Sequence, residues 1–280
     1  MCAAPLAKAR QTVYCPLATN FSAMAPILSD PIFYIAAIPA VILVGLSKGG
    51  LGGAMALIGV PLMSLVVSPV QAAAIMLPIL IVMDMVSLWA WRGFHDWRLL
   101  SIMLPGALVG IGIGWLTAAV VTPDHVRLIV GFVTLLFFLR WVAEKLRKSE
   151  RVAGHNRPKG LFWGTVAGFT SFVAHAGGPP YQVYALPLKQ DPKLYTGTSV
   201  IFFAIVNAVK LIPYFALGQF DATNLTASLI LAPIAPLATF AGAWIVRRMR
   251  PEVFYPLMYA MILIVSLNLI YEGAKGLWGG

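Results

Sequence analysis

Acidic residues are scarce in this chain: ten Asp and Glu stand among 280 residues, against twenty Lys and Arg and four His. Cysteine is scarcer still, with Cys2 and Cys15 alone, both ahead of the first apolar run. Two cysteines without a CxxC spacing exclude a disulfide framework, and two free thiols in the N-terminal tail are expected. There is no HExxH, no Walker A loop and no serine elbow, so metal-dependent and hydrolytic chemistry have no visible constellation, and no metal or cofactor is implied. His95-Asp96 and Asp124-His125 fall in polar loops rather than within apolar runs. Charged residues make up only 11% of the chain, while 60% is hydrophobic and the mean hydropathy is +0.85. That balance excludes a soluble globular core and points to lipid as the solvent.

The net charge of +10 resembles a nucleic-acid signal, but its placement argues otherwise. The basic residues sit in short loops between apolar spans, as in membrane proteins with positive loops inside. The first 30 residues carry Lys8 and Arg10 but no continuous apolar run, so a cleaved signal peptide is not expected and a mobile tail is.

Full-length spans are expected at about 70–90, 99–121, 124–143, 196–217, 224–245 and 251–271, each near the ~20 residues a bilayer needs. Two longer segments, Pro31–Val67 and Gly160–Leu188, are interrupted by polar, glycine-rich turns. The first turn reads Gly45-Leu46-Ser47-Lys48-Gly49-Gly50-Leu51-Gly52-Gly53, and the second runs from Gly168 through Thr170, Ser171 and His175 to Gly177-Gly178-Pro179-Pro180. As one straight helix, the first segment reaches about 55 Å at ~1.5 Å per residue, too long for a ~30 Å core. A hairpin folded back at the glycines fits better, and Ser29-Asp30-Pro31 supplies a capped start for its first arm.

The two halves align as repeats. Gly45 matches Gly168, Gly52-Gly53 match Gly177-Gly178, Asp84 matches Asn207, and Ser87 matches Lys210. The second turn has Ser171 where the first has Lys48. Each half reads as a broken helical hairpin followed by three transmembrane helices, and an odd number of crossings inverts the second half. Loop charge supports this: with returning hairpins, thirteen Lys and Arg lie in the loops of one side against Arg127 alone opposite. If each broken segment crossed once, the same loops would divide eight to six. The expected fold is therefore an all-α integral membrane protein of two inverted-topology repeats. Its parts are a tail at 1–30, repeat 1 at 31–143, a basic cytoplasmic linker at 144–159, repeat 2 at 160–271 and a C-terminal tail at 272–280.

Paired interruptions in two related halves are the sequence mark of a secondary transporter's substrate site. Irregular backbone at membrane depth is tolerated where it lines a cavity or is buried in protein. The Gly-x-x-Lys-Gly pattern ending in Gly49 and the Gly177-Gly178-Pro179-Pro180 turn resemble the TauE/SafE family of sulfite exporters, over about residues 31–271. The resemblance implies a carrier of sulfite, a sulfonate or a related sulfur anion in the cell (inner) membrane, and no enzymatic activity.

Lys48 is the sharpest site candidate, because an unpaired ammonium in the hydrocarbon costs roughly 2.5–3.5 kcal/mol even on lenient scales. Gly49, Gly52 and Gly53 beside it allow close backbone approach, and the helix starts after Gly53 and Pro179 supply positive dipole ends for an anion. Thr170 and Ser171 are candidate hydroxyl donors to oxyanion oxygens, or else satisfy freed carbonyls. His175, Gly177, Gly178 and Asn207 complete the substrate-binding candidates. Asp84 and Lys210 lie inside crossing helices, as a proton-coupling pair or a structural ion pair. The alternatives are an intramembrane enzyme acting on a lipid phosphate, which lacks a convincing base and nucleophile, and a passive anion channel. The expected partners are a small anionic substrate and lipid, not nucleic acid.

Overall fold

A computed structural model describes residues 30–51, 56–118, 120–147, 152–216 and 222–278, without side chains for 56–58, 69 and 70. Gly52 and Gly53, and the N-terminal tail apart from residue 30, lie outside the described residues. Within them the chain is helical, with no strand. The helices are α1 (Pro31–Leu46), α2 (Ala56–Met63), α3 (Pro69–Ala90), α4 (Trp97–Leu116), α5 (Pro123–Leu146), α6 (Arg157–Ala174), α7 (Gly178–Ala185), α8 (Pro192–Ala216), α9 (Ala222–Leu231), α10 (Ile234–Arg247) and α11 (Pro251–Trp278). A single π-type turn, Ser47–Leu51, follows α1.

Prolines set the starts. Pro31, Pro69, Pro123, Pro192 and Pro251 each open a helix, where the missing N–H leaves nothing unsatisfied. Asp30, Ser68, Asp96 and Asn156 cap α1, α3, α4 and α6 by accepting first-turn amides. Asp30 accepts the Ile32 amide at 2.9 Å, as the Ser29-Asp30-Pro31 run predicts.

Six helical segments are long and apolar enough to cross a membrane, Pro31–Leu51 among them, and the α9–α10 pair adds a seventh. The chain is an integral membrane protein. Its outer face carries exposed large apolar residues such as Leu136, Leu139 and Leu237, which suit lipid and not water. The span expected at 224–245 is bent by 48°, in keeping with the kink that its prolines imply in sequence. Pro233, which lacks an N–H and crowds the preceding turn, stands at that joint. The expected tail at 272–280 is helical through Trp278, because Gly273 lets α11 lie directly on the backbone of α5 at Asp124 and Leu128.

Close backbone contact holds the bundle together where lipid leaves no hydrophobic force between helices. On α4, Gly106 and Gly110 face Gly164 and Gly168 of α6, and a Cβ at any of the four meets backbone of the partner helix. Gly45 of α1 and Gly49 of the π-type turn make the same kind of contact with Ala238, Thr239 and Gly242 of α10. Helix α5 lies against α11, and α3 against α8. Contact partners thus interchange when the two halves are interchanged. Both interrupted segments fold back: Gly59 of α2 lies against Val44 and Ala40 of α1, and Tyr184 of α7 is hydrogen-bonded to Asn156 ahead of α6.

At the end of the bundle where α3 meets α4, Asp96 ties three segments together. Its Oδ2 accepts from Gln190 at 2.5 Å and faces His155 Nε2 at 3.1 Å, while its amide donates to Thr198 Oγ1 at 2.8 Å. The segment ahead of α6 is fastened to Asp96 through His155, and to the later part of the chain through the Ala153 amide on the Pro187 carbonyl at 2.9 Å.

Candidate functional site

The two breaks face each other across α3 and α8. On α3 and its C-cap residue Trp91, positions 84, 87 and 91 are spaced i, i+3, i+7. Each is tied to the first break. The Lys48 ammonium donates to Asp84 Oδ1 at 2.6 Å, Ser87 Oγ donates to the Lys48 carbonyl at 2.9 Å, and Trp91 Nε1 donates to the Gly49 carbonyl at 2.9 Å. On α8 the equivalent positions are 207, 210 and 214. Lys210 Nζ donates to the Ser171 carbonyl at 3.1 Å and lies 3.3 Å from its hydroxyl, and Tyr214 shares a 2.7 Å hydrogen bond with His175 Nε2.

The repeat alignment reappears in these bonds. Ser87 reaches back 39 residues to the residue-48 carbonyl, and Lys210 reaches back 39 residues to the Ser171 carbonyl. Asp84 and Asn207, 123 residues apart and equivalent by sequence, touch each other at 2.7 Å.

Between the breaks lies a cavity of about 100 Å³, room for several waters or one small anion. Lys48, Gly50, Ser171, His175, Gly177 and Gly178 line it from the breaks, and Asn207 and Lys210 from α8. The site candidates that line the cavity are thus Lys48, Ser171, His175, Gly177, Gly178, Asn207 and Lys210. Asp84 stands behind Lys48, with both carboxylate oxygens engaged, one by Lys48 and one by Asn207. The ion pair is Lys48–Asp84; Lys210, one turn beyond Asn207, bonds to neutral oxygens of Ser171. Lys210 is 1% exposed.

Two candidates serve the backbone instead. Thr170 Oγ1 lies 2.8 Å from the Val166 carbonyl and 3.1 Å from that of Ala176, so it caps the break. Gly49 is buried against α10, and the cavity glycine is its neighbour Gly50, whose φ of 131° suits glycine alone. His175 reverses the chain after α6 in a left-handed conformation with φ 53°.

Gln182, readable in sequence as a neutral donor for selectivity or interhelical bonding, lines the cavity, and so do Tyr181 and Tyr195, which carry no signal in sequence. The buried Tyr181 hydroxyl has no partner among the described residues, leaving a donor free for a ligand. Trp91, which sequence position assigns to the interfacial aromatic belt, is instead buried, because its N–H closes the carbonyl freed at Gly49.

The profile of the sulfite exporter TauE/SafE family matches residues 37–269, which contain both breaks and every cavity residue named above. The chain belongs to that family. TauE/SafE proteins are membrane transporters and not enzymes, which removes the lipid-phosphate enzyme as a reading. No curated protein and no solved structure matches the chain.

Proposed function

We propose that this TauE/SafE protein is a secondary transporter that carries sulfite or an organosulfonate by alternating access of two inverted repeats. The observation that carries the reading is the charge of the cavity. Two lysines reach it, while one carboxylate stands behind it. An anion supplies the missing negative charge, and it would meet the Lys48 and Lys210 ammoniums, the Tyr181 hydroxyl and the start of α7 at Gly177 and Gly178. The interchanging helix contacts support a rocking of one half against the other about the Asp84–Asn207 contact. Loop charge supports a cytoplasmic side for the α3–α4 and α10–α11 connections and the linker. Asp84 is the group placed to exchange a proton, since an anion drawn to Lys48 loosens its hold on the carboxylate.

Counterflow into proteoliposomes tests this, with labelled sulfite outside and unlabelled anions inside. Acceleration by internal sulfite and sulfonates, and not by chloride, is the expected result. Flux that ignores the internal anion identifies a channel, and no flux through folded protein removes the transport reading.

A further inference from the structure

Resting on that transport reading, we propose that the cavity selects its anion by total charge: a monoanion binds with Asp84 ionised, and a dianion binds together with one proton taken up by Asp84. The charged groups are few enough to enumerate. Lys48 enters from the first break, Asp84 from α3 and Lys210 from α8. His175 faces the cavity from the second break, with its Nε2 on Tyr214, and Tyr181 and Tyr195 contribute neutral phenols from α7 and α8. The charges farther out are balanced or held elsewhere. Arg127 pairs with Asp124 on α5 at 2.7 Å, and Arg247 of α10 lies over the Trp91 ring at 5.4 Å.

With Lys48 and Lys210 both protonated, two ammoniums and one carboxylate leave a single positive charge. A sulfonate, fixed at one negative charge, neutralises that directly. A dianion leaves one negative charge too many beside the buried Asp84 and Lys210, and protonation of a carboxylate is the nearest remedy. Asp84 fits that role by geometry. Its Oδ1 is bonded only through Lys48, the cation a ligand competes for, while Asn207 holds Oδ2 in place by an amide donor that carries no charge. A proton on Oδ1 removes the charge that holds the Lys48 ammonium there and frees that ammonium for the ligand. The balance closes: one dianion and one proton enter where one monoanion would.

Proton uptake on binding reads this out directly. Purified full-length protein in weakly buffered detergent solution is mixed with sodium thiosulfate, a dianion, or sodium methanesulfonate, a monoanion, and the pH change is recorded with the bound amount. The expected result is about one proton per thiosulfate and none per methanesulfonate, with thiosulfate affinity rising up to about tenfold per unit fall in pH. In Asp84→Asn the uptake vanishes, and preference shifts toward thiosulfate by about tenfold or more. Equal uptake with both anions overturns the charge rule while leaving anion transport standing. Uptake that survives Asp84→Asn but disappears in His175→Gln or in Lys210→Met moves the proton to that residue and overturns the assignment. Binding of neither anion by folded protein overturns this inference and the transport reading together.

Discussion

Asn207 donates its side-chain amide to Asp84 across 2.7 Å, joining two residues 123 positions apart that occupy the same place in their respective halves. One half supplies a carboxylate, and the other supplies its uncharged isostere. The contact needs this asymmetry, because two facing carboxylates would repel and two amides would leave Lys48 unpaired.

Removing the carboxylate leaves the part-buried Lys48 ammonium alone. Asp84→Asn is expected to lower stability by about 3–5 kcal/mol and counterflow by more than tenfold. The pair replacement Lys48→Met with Asp84→Asn should recover most of the stability, since no charge is stranded, but not transport. Thermal unfolding in detergent, followed by counterflow, separates the two effects.

Lys210 has a different duty from its equivalent Ser87. Ser87→Ala removes one neutral hydrogen bond to the Lys48 carbonyl and should cost about 1 kcal/mol with little change in substrate affinity. Lys210→Met should keep the fold and weaken sulfite binding at least tenfold. A competition titration on both variants checks the contrast; equal affinity in Lys210→Met and the parent protein would take Lys210 out of the site.

The glycine contacts predict where bulk is not tolerated. Gly168→Leu and Gly242→Leu each drive a side chain into the backbone of a partner helix, and both should lose the monodisperse peak in fluorescence-detected gel filtration. Gly112→Leu, on the same helix as Gly110 but with open space at its Cβ, should behave like the parent.

Asp96 concentrates several bonds at one side chain: it caps α4 and receives Gln190 while facing His155. Asp96→Ala should destabilise by roughly 2–4 kcal/mol, the loss of a cap and of a charged hydrogen bond together. Tm measurement in detergent gives the number, and a shift near zero would show that the linker is not fastened there.

Much of the fold is legible in sequence because lipid imposes length and proline marks ends. The starts at Pro31, Pro69, Pro123 and Pro251 follow from local chemistry alone. The bend at Pro233 was legible as a kink or a helix end, while which of the two depends on what neighbours re-satisfy the freed carbonyls. At the site, Lys48, Asp84, Asn207 and Lys210 were readable as polar groups at membrane depth, and the repeat alignment paired Asp84 with Asn207 and Ser87 with Lys210. Trp91 and Tyr181 were not, because an aromatic side chain has the same sequence signature at a lipid interface, in a core or beside a ligand.

The sequence by itself determined that the chain lives in lipid and that two of its apolar segments are broken at glycine-rich turns, because apolar length, proline and glycine act locally. Tertiary structure alone decided that Asp84 belongs to Lys48 and Asn207, that Lys210 is left with the neutral oxygens of Ser171, and that Thr170 and Gly49 serve the backbone. Those choices depend on how far each broken helix runs past α3 and α8, and that distance is set by glycine-to-backbone packing between helices distant in sequence.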